Sequence, residues 1–263
     1  MKNSTRLLLG AISLAGMACS ALPAFAQDAP AWGLTAAIDL QTDYKFRGIS
    51  QNDREPSPQG TLNMTAPDGF YVGTWMSTVN WNLQGSKPTL PNHNPTVEVD
   101  VYGGKHTDLW GVDWNFEPYY YAYPSSDSGS PNFKADYLEL IDQLTKSVGP
   151  ATFTATWAWS PDFSLGSGTG NYLAGMVSYT ITDWLSISGN VGHQWVQAAK
   201  YNASSDYTYA DIGATATWHS FALDLRYSGT DLSAAKCGFY IGTNHACAGN
   251  FIATFTYNMT LLP

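Results

Sequence analysis

Apolar and polar side chains alternate through most of this chain with a period of two. Residues 34–47 show it most plainly. Leu34, Ala36, Ile38, Leu40, Thr42, Tyr44 and Phe46 fall on one face, and Thr35, Ala37, Asp39, Gln41, Asp43, Lys45 and Arg47 on the other. Successive side chains of a β-strand point to opposite faces, so this spacing predicts a strand with one apolar and one charged face. The same pattern sets Val97, Val99 and Val101 opposite Glu98, Asp100 and Tyr102. It sets Val112, Trp114 and Phe116 opposite Asp113, Asn115 and Glu117. It returns at residues 151–159, 184–195, 208–218, 221–228 and 250–261, where Ile212 opposes Asp211, and Leu223 and Leu225 oppose Asp224 and Arg226. Weaker alternation predicts four further strands at 59–66, 70–81, 135–146 and 171–180. The pattern does not choose an outer face for 70–81. In 135–146, Asp142 shares a face with Leu138, Leu140 and Leu144, which implies a bulge, a shallow position or a shifted register.

The connections alternate in length. Short ones fall at 67–69, 105–110, 147–150, 181–183 and 219–220, and long polar ones at 48–58, 82–95, 123–134, 160–170, 196–206 and 229–249. This rhythm predicts an all-β fold: a closed, antiparallel, up-and-down transmembrane β-barrel of about 12 strands, with short periplasmic turns and long extracellular loops. A β-sandwich also has many short strands, but has no reason to collect every long loop at one end. Closure follows from the solvent, because in hydrocarbon every backbone N–H and C=O must be paired and only an edgeless sheet does this. Trp32, Trp110, Trp184 and Trp218 fall near the short-turn ends, and Trp81, Trp159 and Trp195 near the loop ends, where interfacial girdles lie.

The N-terminus changes the compartment. Lys2 and Arg6 precede an apolar run at 7–18 and then Ala24-Phe25-Ala26. That order predicts a secretory signal peptide over residues 1–26 and one barrel domain over 27–263. The apolar run is too short for a spanning helix, which needs about 20 residues. Beyond residue 26 the chain carries 10 basic and 21 acidic residues, a formal charge of −11. Nucleic acid is thereby excluded as a partner, since its binding rests on neutralising phosphates. Only 13% of residues are charged, against about 25% in soluble domains, so something other than water covers much of the surface. In an exported chain Cys237 and Cys247 are expected to form a disulfide. A metal pair is the weaker alternative, because two thiols with only His245 nearby do not complete a tetrahedral site. His93, His106, His219 and His245 are expected in loops or turns and His193 near an outer strand end. No metalloprotease, nucleophile-elbow or P-loop spacing is present. The glycine-rich stretch 166–170 reads as flexible loop.

Asp43-Tyr44-Lys45-Phe46-Arg47-Gly48-Ile49-Ser50-Gln51 resembles the opening signature of the proteobacterial Gcw_chp family, described as TorF-type porins. Gln59-Gly60, the runs 69–75 and 97–104, Gly229-Thr230-Asp231-Leu232 and the cysteine pair continue the likeness over nearly all of the chain after residue 26. The resemblance implies a porin-like outer-membrane barrel and brings no catalytic residues. One departure is the last strand, which ends Asn258-Met259-Thr260-Leu261-Leu262-Pro263 without the terminal aromatic common in such barrels.

On this reading the pore-lining candidates are Asp39, Asp43, Lys45, Arg47, Glu98, Asp100, Asp113, Glu117, Asp211, Asp224 and Arg226, eight acids against three bases. Rings of Asp and Glu favour cations. The expected function is passive passage of small solutes or ions with a preference for cations. The alternative is a non-conducting barrel with a structural, adhesive or partner-binding role through its long loops. A soluble barrel around an apolar ligand is a third reading, and would need the two faces inverted. The expected partners are outer-membrane lipid, small solutes or ions, and the barrel-insertion machinery. No cofactor, metal or catalytic residue is expected, and nothing in the sequence indicates an oligomeric state.

Overall fold

The computed structural model describes residues 32–81, 94–124, 126, 135–197, 206–241 and 243–262. The predicted signal peptide and most of the 82–95 loop lie outside them. The wall is built by β1 (Gly33–Gln41), β4 (Ser57–Thr65), β5 (Phe70–Thr78), β6 (Val97–Leu109), β7 (Val112–Ala122), β8 (Tyr137–Val148), β9 (Ala151–Ser160), β10 (Gly170–Thr182), β11 (Leu185–Val196), β12 (Tyr207–Trp218), β13 (Phe221–Thr230) and β14 (Asn250–Leu262). Two short strands, β2 (Lys45–Phe46) and β3 (Ile49–Ser50), pair only with each other.

Every wall strand pairs antiparallel with its neighbours, and β1 pairs with both β4 and β14. The seam aligns Ile38 with Tyr257 and Asp39 with Thr256. The sheet is therefore a closed 12-stranded transmembrane barrel without a free edge. The last strand, β14, completes the seam by pairing with β1. The short connections are 66–69, 110–111, 149–150, 183–184 and 219–220, and all the long ones open at the other end. Trp110-Gly111 and Asp68-Gly69 both have positive φ at two successive residues, the backbone that turns a tightly twisted hairpin. The expected turn 105–110 is thus only two residues, and β6 runs on to Leu109.

Alternation holds around the barrel. On β1, Ile38 and Leu40 are 56% and 55% exposed while Asp39 and Gln41 are 6% and 3% exposed. On β5 the ambiguity resolves: Phe70, Val72 and Met76 point out, and Tyr71, Trp75 and Ser77 point in. Apolar residues thus form the outer surface, opposite to a soluble barrel with an apolar pocket. Trp32, Trp110, Trp184 and Trp218 are exposed at the short-turn end, and Trp195 at the loop end. Trp81 departs from the girdle. It is buried inside the loop end, with its ring 4.8 Å from that of Tyr123.

Two local expectations change. The glycine-rich stretch 166–170 follows a short turn, Ser164–Gly166, and is tied back by Phe163 N–H to Gly168 O at 2.7 Å, with Phe163 buried against the Tyr137 ring at 4.8 Å. His106 sits on the inner wall of β6 rather than in a turn, with Nδ1 2.8 Å from Asp113 Oδ2.

Asp142 does lie on the outward face, with an unbroken register that pairs it with Phe116. Neither a bulge nor a slip is needed, because Trp114 Nε1 donates to Asp142 Oδ1 at 2.9 Å. A carboxylate on a lipid-facing wall is unfavourable, and this bond offsets part of that cost. Trp114→Phe is expected to destabilise the barrel by about 1.5–3 kcal/mol, the worth of a hydrogen bond to a charged group. In the Asp142→Leu background the loss should largely vanish. Denaturant unfolding in detergent for the four members of this cycle checks it.

Candidate functional site in the barrel interior

The interior is decided where β1 ends. At Thr42 the chain leaves the wall, and Thr42 donates its backbone N–H to Ala253 O at 3.0 Å. Residues 43–56 then enter the barrel, with β2 and β3 forming a hairpin that pairs Lys45 with Ser50 and Phe46 with Ile49. Its tip is Arg47-Gly48, at φ 47° and 82°. Glycine is required at the second position twice over. The backbone is left-handed there, and a Cβ would lie 2.7 Å from Tyr209 Cβ and 2.8 Å from Thr230 Cγ2. The tip therefore rests directly on the wall at β12 and β13.

From that tip Arg47 reaches across the lumen. Nη2 donates to Glu139 Oε2 at 2.7 Å and Nη1 to Glu139 Oε1 at 3.0 Å, a two-pronged ion pair. Nη1 also donates to Gln194 Oε1. The guanidinium lies 3.8 Å from the centre of the Tyr172 ring, close enough for a cation–π contact. Tyr121 Oη donates to Glu139 Oε2 at 3.0 Å. Gln194 Nε2 donates to Asn171 O and Trp195 O, which holds its amide in place. Residues from β8, β10 and β11 thus converge on Arg47, and Tyr121 of β7 holds its partner Glu139.

The other end of the hairpin is held by the last long loop, 231–249. Lys45 Nζ donates to Ser228 O and Ala248 O, both at 2.9 Å. Ser50 donates its backbone N–H to Ala246 O at 2.9 Å, and Arg54 donates to His245 O at 2.6 Å. Asp53 Oδ1 and His245 Nε2 are 2.8 Å apart. A disulfide from Cys237, on a short helix at Ala234–Ile241, to Cys247, with Cα atoms 5.7 Å apart, closes this loop.

The interior has two zones. In the loop half, tyrosine rings from β6 to β8 pack against the hairpin: Tyr102 on Tyr119 at 4.9 Å, Tyr121 on Tyr137 at 4.3 Å, and Tyr121 against Phe46 at 5.7 Å. The wall gives way to these rings, since Gly73 sits where a Cβ would meet Tyr102 at 2.5 Å. In the short-turn half the inward residues include half-buried hydroxyls and amides, among them Thr145, Thr154, Ser178, Ser188 and Asn190, together with the His106–Asp113 pair. Between the zones, Arg226 bonds Asp211, Asp224 and Ser188 Oγ.

The family model described as "Bacterial protein of unknown function (Gcw_chp)" matches residues 26–258. The chain belongs to the Gcw_chp family. A search of curated protein sequences finds no match. Among solved structures the Gcw_chp barrel is similar to a KdgM porin in complex with disordered oligogalacturonate. The TM-score is 0.54 at 6% identity, covering 86% of this chain and 98% of that one. It is also similar to a NanC porin, with a TM-score of 0.52 at 10% identity, covering 87% of this chain and all of the other, 100%. At such identities the likeness is one of fold.

In the Gcw_chp barrel the stretch that resembles the family signature, 43–51, is the inward hairpin itself. Asp43, Lys45 and Arg47 were expected on the polar face of a strand running to residue 47. The wall strand stops at Gln41, and the three sit on the hairpin. Asp39, Glu98, Asp100, Asp113, Glu117, Asp211, Asp224 and Arg226 all lie on inward faces of wall strands. Glu139, Gln194, Tyr121 and Tyr172 are central here and were not singled out from sequence. The signal for Glu139 was present, because it lies between Leu138 and Leu140 on the opposite face.

The disulfide-closed loop holds the base of the hairpin, so its loss should loosen residues 43–56. Lys45 and Arg47 are buried and are expected to resist trypsin in the native barrel. In a Cys237→Ser/Cys247→Ser variant that retains its strand circular dichroism, cleavage after these residues should appear. Equal resistance in both proteins would show that the disulfide does not brace the hairpin.

Proposed function

We propose that this protein is an outer-membrane channel for small solutes or ions, exported by a cleaved signal peptide over residues 1–26, in which residues 43–56 form the constriction. The observation that carries this reading is the inward hairpin, locked by Arg47 to Glu139 across the lumen of a closed barrel. A polar interior beneath an apolar outer face supports a path for hydrophilic solutes, and the hydroxyl-lined half supports a vestibule that leads to the hairpin.

Selectivity for cations is part of the proposal. The inward carboxylates of Asp39, Asp43, Glu98, Asp100, Asp113, Glu117, Glu139, Asp211 and Asp224 outnumber the inward bases Lys45, Arg47 and Arg226. Arg47 is matched by Glu139, and Arg226 by Asp211 and Asp224. The unmatched remainder is acidic, which favours cations over anions. The KdgM porin binds oligogalacturonate, a chain of uronic acids. An interior of this charge does not favour such a polyanion, so the shared fold is read here with a different solute class.

The dense packing around the hairpin favours a second reading, a barrel that does not conduct and acts through its long loops. Planar-bilayer recording separates the two. The native protein is expected to show small, cation-selective openings, and Glu139→Gln larger and more frequent ones. Breaking a buried ion pair by removing one partner costs about 3–5 kcal/mol, enough to release the hairpin. Anion preference would contradict the cation selectivity, and no conductance from either protein would contradict the channel.

A further inference from the structure

We propose that Glu98 and Asp100 form a binding site for one hard divalent cation, of the calcium class, in the loop half of the interior. The two carboxyl groups share the inner face of β6 two residues apart, with Cα atoms roughly 6.6 Å from each other at the usual strand rise. Each residue is 1% exposed. One oxygen of each accepts a hydrogen bond: Tyr123 Oη donates to Glu98 Oε1 at 3.0 Å and Tyr119 Oη to Asp100 Oδ2 at 2.9 Å. The other oxygens, Glu98 Oε2 and Asp100 Oδ1, are buried and make no hydrogen bond of ordinary geometry, although the Tyr44 hydroxyl also faces the Glu98 carboxyl and the Ala122 N–H the Asp100 carboxyl.

Charge is the decisive point. Among the described residues the ion pairs of the interior bring Arg47 to Glu139, Arg226 to Asp211 and Asp224, and His106 to Asp113. None brings a basic group to Glu98 or Asp100. A buried carboxylate without a counter-ion is strongly disfavoured, and two side by side more so. A water molecule would satisfy an orphan oxygen but not the charge. A divalent cation does both, in competition with the protons that burial would otherwise place on these carboxyls.

The surroundings fit that ligand. In the ladder Glu98 lies beside Ser77, and Ser77 beside Gln59, so a small side chain separates two long ones. Gln59 is 7% exposed and its amide nitrogen also lacks a partner. A half-turn of that amide presents its oxygen instead. Carboxylate, amide and phenol oxygens are hard ligands of the kind calcium takes, in sixes to eights and in irregular geometry, whereas magnesium demands a near-ideal octahedron. Tyr44 of the hairpin packs on Trp75 at 5.2 Å, beside Asp100 in the ladder. A cation here would stiffen the wall on which the hairpin rests. The site does not depend on conduction, so its failure would leave the channel reading untouched.

Calcium itself is the probe. Full-length protein is refolded in detergent free of lipopolysaccharide, stripped with a chelator, and titrated with calcium chloride in a calorimeter. One saturable site per chain is expected. The near-isosteric Glu98→Gln/Asp100→Asn variant, folded by circular dichroism, should bind at least tenfold more weakly. Should that variant not fold, Asp100→Asn alone is held to the same criterion. Absence of saturable binding in the folded native protein would overturn the proposal, as would undiminished binding in the variant. An infrared carboxylic-acid band that is lost in the variant but persists in saturating calcium would also overturn it, by showing a pair neutralised by protons.

Discussion

The arrangement of this barrel depends on where one guanidinium goes. Arg47 is carried inward on a two-residue turn, and a charge taken out of water is tolerated only when it is paired and fully hydrogen-bonded. Glu139, Gln194 and the Tyr172 ring supply that environment, from three different strands of the wall. The pairing explains why the hairpin lies inside rather than above the barrel. It also explains why Glu139 is buried without facing an open lumen.

The wall and the hairpin are stabilised by different physics. Strand closure satisfies the backbone in hydrocarbon, and outward apolar residues meet lipid. The hairpin has only two short strands of its own and depends on the surrounding wall. Its tip needs Gly48 to approach Tyr209, its base needs the carbonyls of the 231–249 loop, and its middle packs on tyrosine rings. That loop is closed by Cys237 and Cys247, so a covalent bond outside the wall supports a noncovalent element inside it. The result is a lumen whose loop half is packed around the hairpin and whose short-turn half is lined by half-buried side chains.

Much of the fold was legible from residue patterns. Period two identified the faces, and the long–short rhythm of connections identified the topology, because both are direct consequences of a barrel in a bilayer. The failures are informative. Alternation runs unbroken from Ile38 to Arg47, yet the wall strand ends at Gln41. The hairpin strand β2 has the same period as β1, so periodicity alone cannot show that the chain has left the sheet. Trp81 was placed in a girdle by its position near a strand end, whereas its ring packs inward on Tyr123. Asp142 implied a bulge, a shallow position or a shifted register, and is an outward carboxylate in an unbroken register, bonded to Trp114. The site was less legible than the wall. Eleven inward charges were found from their faces, but which of them meet is a matter of three-dimensional position across strands distant in sequence, as Arg47 and Glu139 show.

The central claim is that residues 43–56 sit inside the barrel because Arg47 is held by Glu139. Thiol labelling tests it directly. Ile49 is buried on β3, and an Ile49→Cys variant in liposomes is treated with a membrane-impermeant maleimide. Cys237 and Cys247 are disulfide-bonded and do not react. The account predicts slow labelling in this variant and rapid labelling once Glu139→Gln is added. Rapid labelling with Glu139 intact, or an unchanged rate without it, would contradict the account.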